Sequence, residues 1–171
     1  MLMSEQAAAR YEAAEQAPDD TKTLYLDALT LVERLHRRLL DVIKDEFDRM
    51  GRSDVNSVQA LLLFNIGDSE LTAGELKTRG HYQGSNVSYN LKKLVEAGYV
   101  NHERSSSDKR SVRVRLTPRG QAIRERVDAL YNRQLHAVEE VVGLSVEEFE
   151  RLNKALTRLE RFWTDQILYR L

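Results

Sequence analysis

The sequence predicts a mainly α-helical protein carrying one two-stranded β-hairpin, and three observations lead there. Long stretches repeat their apolar residues at helical spacing, and the period falls to two only across residues 99–116. Just 2 of the 171 residues are proline, which suits long uninterrupted helices.

Residues 1–20 are rich in Ala, Glu and Gln, end in Pro18-Asp19-Asp20, and read as a mobile tail. From Thr21, the stripe Leu24, Ala28, Leu31, Leu35, Leu39, Val42 and Phe47 describes one helix of about thirty residues. Gly51 ends it. A second helix, Val55 to Ile66, has Asp54 placed to cap it. Val58, Leu61, Leu62, Phe64 and Ile66 make it apolar on more than one side, as a central helix is, and Gly67 closes it. Leu71-Thr72 then leads to a short helix over 73–78. The link Arg79-Gly80-His81-Tyr82-Gln83-Gly84 delivers the chain into GSNVSYNLKKLVEAGY, residues 84–99.

In that stretch Val87, Leu91, Leu94 and Val95 form one helical stripe, while Ser85, Asn86, Tyr89, Lys92 and Lys93 occupy the other side. Two short helices joined by a glycine-containing link, the second polar on its free face, are the pattern of a helix-turn-helix. Tyr99–Arg104 and Ser111–Leu116 follow as two strands around the polar segment 105–110. Val112, Val114 and Leu116 share one face, Arg113 and Arg115 the other. An isolated hairpin is marginal in water, so its apolar face must lie on the helices.

Thr117 and Pro118 supply the cap and first turn of the next helix, which runs to about Val142 before Gly143. Ser145-Val146-Glu147-Glu148 is a capping box. It opens a last helix bearing Phe149, Leu152, Leu156, Leu159, Trp163, Ile167 and Leu171. A helix-turn-helix followed by a hairpin is a winged helix, which places a DNA-binding lobe at 54–117. Residues 21–53 and 118–171 then form a helical dimerisation lobe. Its long helices would leave their apolar stripes exposed in a monomer, and a second copy would cover them, so a homodimer is expected.

Hydrophobic residues make up 42% of the chain and charged residues 31%. No apolar run reaches the ~18 residues that span a bilayer. The N-terminal residues lack the basic flank and apolar core of a signal peptide. A cytoplasmic protein without a membrane partner is the expectation. The absence of cysteine excludes disulfides, thiol redox sensing and cysteine nucleophiles. The net charge of −1 conceals a strong asymmetry. Residues 1–76 hold 8 Lys and Arg against 15 Asp and Glu, residues 77–120 hold 10 against 3, and residues 121–171 hold 8 against 9. A basic central module between acidic or neutral flanks points to a polyanionic partner, although a basic segment can also be an ordinary solvated face.

The run LTAGELKTRGHYQGSNVSYNLKKLVEAGYVNHERSSSDKRSVRVRLTPRG resembles the DNA-binding lobe of MarR-type bacterial transcription regulators. The flanking helices are similar to that family's dimerisation lobe in order and length, so the resemblance spans residues 22–170. Its most specific part runs from Leu91 to Gly120: L-x-x-L-x-x-x-G-Y-V, a polar loop ending Asp108-Lys109-Arg110, then V-x-L-T-x-x-G. The wording QGSNVSYNLKKLVEAGY is similar to an alphaproteobacterial, LdtR-like branch that includes regulators of L,D-transpeptidase genes. That likeness implies control of cell-wall remodelling and stress-tolerance genes. One departure is Gly80-His81-Tyr82, where the family has an apolar residue followed by glycine. Gly80 can still meet the turn geometry, and Tyr82 is expected to supply the apolar contact.

For contact with double-stranded DNA, the candidates at the N-terminal end of the helix are Gln83, Ser85, Asn86, Ser88 and Tyr89, placed to reach base edges in the major groove. Asn and Gln can pair bidentately with adenine. Lys92 and Lys93 suit phosphates, as do the backbone N–H groups around Gly84-Ser85. In the hairpin, Arg110 is the candidate for the minor groove, with Lys109 and Arg104 on the backbone. The resemblance assigns the Arg110 position to DNA and Asp108 to orienting that arginine; Asp108 reads equally well as a turn former. Arg113 and Arg115 lie farther up the strand and face solvent. A homodimer would present two such helices and wings to a pseudo-palindromic operator with half-sites ~10 bp apart. The alternative is a winged helix used as a protein-interaction module, its basic wing meeting an acidic partner.

The resemblance further implies a repressor that releases DNA when a small aromatic or phenolic effector binds between the lobes. Tyr25, Leu29, Leu61 and Phe64 are the candidate contacts, although apolar residues at helical spacing read first as core. Other chemistry finds little support. His36, His81, His102 and His136 include no i, i+4 pair and no HExxH, so no metal or cofactor is expected. Ser105-Ser106-Ser107 has no nearby histidine, and GELKTRG lacks the GKS or GKT ending of a phosphate loop. The chain does not read as an enzyme.

Overall fold

The computed structural model describes residues 19–52, 54–68, 71–72, 75, 84–104 and 112–169. Of the tail expected over 1–20, residues 1–18 lie outside the described residues, while Asp19 and Asp20 are helical. Most of the short helix over 73–78, the link 79–83 and the wing loop 105–111 also lie outside. The chain divides into two compact units, residues 1–60 and 61–171.

In the first unit, α1 spans Asp19–Arg49, 31 residues. Gly51 takes a left-handed φ of +66°. Its N–H donates to the Asp48 carbonyl at 3.0 Å, and the Arg52 N–H donates to the Phe47 carbonyl at 3.0 Å. This pair of bonds takes up two of the helix's last carbonyls, in a geometry that glycine adopts without a Cβ penalty. Of the apolar stripe of α1 only Phe47 is buried, beside Ile43 which the stripe did not include, while Leu24, Leu31 and Leu35 are 52–68% exposed.

The next helix, α2, spans Ser57–Ile66. It begins two residues later than the apolar pattern predicts, and its cap is Asn56 rather than Asp54. The Asn56 Oδ1 accepts from the Gln59 N–H at 2.9 Å, and the Gln59 Oε1 accepts from the Asn56 N–H at 3.1 Å. This reciprocal box satisfies two otherwise free donors. Asp54 instead lies 3.9 Å from the Arg52 guanidinium.

The second unit holds the rest of α2, where Leu62, Leu63 and Ile66 are buried together; the helix is central, as its apolar sides predict. Strand β1, Leu71–Thr72, follows. The Thr72 Oγ1 accepts from the Glu75 N–H at 3.1 Å, and Glu75 Oε2 accepts from the Thr72 N–H at 2.6 Å. A second capping box thus starts the helical turn at Glu75. Helix α3 spans Gly84–Glu96, β2 Val100–Arg104 and β3 Val112–Leu116. The sheet is antiparallel with order β1-β3-β2, so the expected two-stranded wing gains a third short strand. Leu71 and His102 flank Val114, while Thr72 and Glu103 flank Arg113. Leu71, Val100 and Val114 are buried on the inner face.

Helix α4, Pro118–Ala137, continues into a π-helical turn over Val138–Val142. The wider winding shows in the bond from the Gly143 N–H to the Val138 carbonyl at 3.1 Å, with Gly143 at φ +71°. Sequence periodicity predicts one helix here and does not resolve the change of pitch. The last helix, α5, spans Val146–Tyr169. Its predicted capping box is present: Ser145 Oγ accepts from the Glu148 N–H at 3.2 Å, and Glu148 Oε2 from the Ser145 N–H at 2.8 Å.

Candidate nucleic-acid interface

Helix α3 has two clearly different sides. Val87, Leu91 and Leu94 are buried, and Val95 is half-buried. Asn86, Ser88, Tyr89, Lys92 and Lys93 are exposed, with Tyr89 at 63%. Tyr89 is thus open on a helix whose opposite side is mostly packed. The lysines are not isolated, since Glu96 lies 3.9 Å from Lys92 Nζ and 3.6 Å from Lys93 Nζ.

The C-terminal end of α3 is anchored by the start of α4. A helix end leaves its last carbonyls without intrahelical donors. Here Gly98 turns the chain at φ +75°, and the Gly98 and Tyr99 N–H groups close back on the carbonyls of Val95 and Leu94 at 3.0 and 2.9 Å. Three carbonyls just beyond the helix, those of Ala97, Gly98 and Tyr99, are taken from outside. Arg119 Nη1 donates to Ala97 O at 3.0 Å, Thr117 Oγ1 to Gly98 O at 2.7 Å, and the Thr117 N–H to Tyr99 O at 3.1 Å. Thr117 Oγ1 also accepts from the Gly120 N–H at 3.2 Å, capping α4. The Arg119 guanidinium lies over the Tyr99 ring, 4.3 Å from its centroid. The segment L-T-x-x-G is therefore the bracket that fixes the end of α3. Its threonine was legible as a cap; its second role, as a donor to α3, was not.

The segment just after α2 is tied to α4 as well. Asp68, just beyond α2, accepts from Arg124 through both oxygens, each at 2.9 Å, and from Gln121 Nε2 at 3.1 Å. On the outer face of the sheet, Arg113 and Arg115 are exposed beside Glu103 and Asn101, as the alternation predicts. Among the described residues no cluster of His, Asp and Glu could hold a metal ion, and no helix is long and apolar enough to cross a membrane.

A family model described as a winged helix DNA-binding domain matches residues 55–120. The transcriptional activator ExpG of exopolysaccharide II synthesis in Rhizobium meliloti (strain 1021) is 40% identical over 105 residues, covering 61% of this chain and 54% of that protein. The match thus spans about half the length of the curated relative. The MarR family transcription regulator SP03579 superposes with a TM-score of 0.64 at 26% identity, over 86% of this chain and 95% of that one. A cysteine-to-serine mutant of MarR from E. coli, solved with operator DNA, gives a TM-score of 0.64 at 24% identity over 84% and 99% of the two chains. The chain has a winged-helix fold similar to that of these MarR-type structures.

Within this winged-helix frame, the candidate DNA residues fall into two groups. Asn86, Ser88, Tyr89, Lys92 and Lys93 share the exposed side of α3. Ser85 lies in its first turn and Arg104 at the end of β2, with side chains outside the described set; Gln83, Asp108, Lys109 and Arg110 lie wholly outside the described residues. Of the effector candidates, Tyr25 is 40% exposed and Leu29 half-buried on α1 in the first unit. Leu61 and Phe64 are half-buried on α2 in the second. Phe64 meets Tyr131 edge to face, with centroids 5.1 Å apart and planes at 87°, the arrangement of a packed aromatic pair. The reading of α3 as one apolar stripe omitted Asn90, which is only 8% exposed. Its i+3 spacing from Val87 was the available signal.

Proposed function

We propose that this chain is a sequence-specific, double-stranded DNA-binding transcription regulator that acts as a homodimer on a pseudo-palindromic operator. The observation that carries the proposal is the two-sided α3, with polar groups exposed at its N-terminal part and lysines farther along, followed at once by a hairpin. Asn86, Ser88 and Tyr89 offer donors and acceptors to base edges, and Lys92 and Lys93 offer charge to phosphates. Gln83, Ser85, Arg104, Lys109, Arg110 and Asp108 complete the proposed contact set. The E. coli MarR mutant was solved on operator DNA, which supports this use of the shared fold.

Dimerisation is supported by unpartnered apolar surface on two helices, each considered alone. α5 buries none of its residues, leaving Trp163 40%, Phe162 53% and Ile167 79% exposed. α1 leaves Leu24, Leu31 and Leu35 open. A monomer rarely shows so much contiguous apolar surface. We assign 21–53 and 118–171 to dimerisation and 54–117 to DNA binding. The sign of regulation follows from operator placement. A dimer seated over a promoter represses, the role the family resemblance implies; one beside it activates, and activation is what the Rhizobium relative's name states for that protein. A small aromatic or phenolic effector, or a stress signal, would act by favouring the form that does not fit DNA.

The test is selection of duplexes from a randomised pool, then fluorescence anisotropy on the selected and a shuffled duplex across a salt series. Tight, selective, steeply salt-dependent binding by a dimer, weakened by Asn86→Ala and Arg110→Ala, is expected. Equal weak binding to both duplexes would favour a protein-interaction module instead. A panel of benzoates and phenols added to the complex tests the effector.

A further inference from the structure

Asn90 is the buried polar side chain among the described residues, and it sits in the recognition helix on the packed side with Val87, Leu91 and Leu94. An apolar residue there would bury more favourably, because an amide taken out of water must recover its hydrogen bonds. Asn90 Nδ2 donates to the backbone carbonyl of Asn86 at 3.0 Å. That carbonyl is also the i−4 acceptor for the Asn90 N–H within α3, so it takes a second donor from the core side. Asn86 is thereby the residue whose peptide is pinned from beneath while its side chain is exposed above.

The first turn of α3 needs such support. It has no acidic residue to stabilise its N–H groups, and it begins with glycine, the loosest backbone. Base reading tolerates little misplacement, since hydrogen bonds weaken steeply away from their proper geometry.

Resting on the DNA-binding reading above, we propose that Asn90 is a positioning residue for operator recognition: its buried amide holds the Asn86 peptide so that the exposed side of the first turn meets base edges in one orientation. It makes no DNA contact itself, so its effect falls on sequence selectivity rather than on general affinity for phosphates.

The chain itself indicates the control. Exposed threonines at Thr30 and Thr157 donate to the carbonyls of Leu26 and Asn153 at 3.0 and 2.8 Å, the same i−4 relationship. Thr and Val are nearly isosteric and equally β-branched, and only Thr can make this bond. Asn90→Thr and Asn90→Val are therefore compared with wild type on the selected duplex, on a shuffled duplex and by thermal melting. Asn90→Val is expected to lose about tenfold in affinity for the selected duplex, with shuffled-duplex binding unchanged and a melting midpoint no lower than that of Asn90→Thr. Asn90→Thr is expected to keep wild-type selectivity. Equal selectivity in both variants overturns the proposal. So does a loss of selected and shuffled binding in step with the melting midpoint, which marks a structural role only. If both variants fail to fold, Asn90→Ser and Asn90→Ala form the same pair with less bulk. A wild-type protein that enriches no sequence defeats the DNA-binding reading itself, and this inference with it.

Discussion

A Cβ placed on Gly120 would lie 2.1 Å from the carbonyl oxygen of Tyr99, closer than any side chain can come. The contact is with backbone, so no rotamer change relieves it. Tyr99 O is also the acceptor for the Thr117 N–H, and neither partner can move without opening the bracket at the end of α3. Gly120→Ala is expected to destabilise the chain by ~2–3 kcal/mol, read as a shift in the urea midpoint. Because the strain falls at the end of α3, the variant should also lose operator affinity before it unfolds.

The cap of α2 separates two readings of the same segment. Asn56→Ala removes one half of a reciprocal box and should cost ~1 kcal/mol. Asp54→Ala leaves that box intact and should cost less than Asn56→Ala does. Chemical denaturation of the two variants side by side measures the difference, and a larger effect at Asp54 would return the cap to the residue that sequence pattern favours.

Glu96 is an acid on the side of α3 proposed to meet DNA. It lies within 4 Å of both Lys92 and Lys93, all three side chains being at least half exposed. Exposed pairs of this kind contribute little to folding, so Glu96→Gln should melt like wild type. Freed of their local counter-charge, the lysines should bind phosphate more strongly. Anisotropy is expected to show higher affinity for selected and shuffled duplexes alike at low salt, the gain shrinking as salt screens the added charge.

Burial against Phe64 pushes the Tyr131 phenol above its ordinary value. The folded chain therefore holds this proton to higher pH than the unfolded chain does. The stability that follows is fully present below pH ~10, the unfolded value, and is lost as pH rises through the folded group's titration. Tyr131→Phe should flatten that alkaline loss, measured as urea midpoints between pH ~8 and ~11.

The parts of the fold legible in the sequence are those written in local pairs. Thr117 before Pro118, and Ser145 three residues before Glu148, announce helix starts because both partners lie within one turn. Gly51 and Gly143 mark helix ends because a left-handed residue is needed there. Asn56-x-x-Gln59 was equally local, and Asp54 displaced it only by standing next to the apolar Val55. Leu71-Thr72 was not legible as a strand: two residues have no period, and the strand exists because β3 offers it an edge. The π turn over Val138–Val142 has the composition of ordinary helix. At the interface, the exposed side of α3 follows from helical spacing alone. Arg119 over Tyr99, and Thr117 reaching Gly98, needed the hairpin to close before they could meet.

The strand order has a consequence for how the protein is made. β3 is central in the sheet yet last of the three strands in the chain, so β1 and β2 leave the ribosome before the strand that joins them exists. A nascent chain halted before Val112 can wind α1 and α2 from local contacts, but it lacks the strand that seats Leu71 and Val100. The DNA-facing module is thus completed in one late step rather than built up piece by piece. A product truncated there would carry the first helices without a closed sheet, and so without the module proposed to occupy an operator.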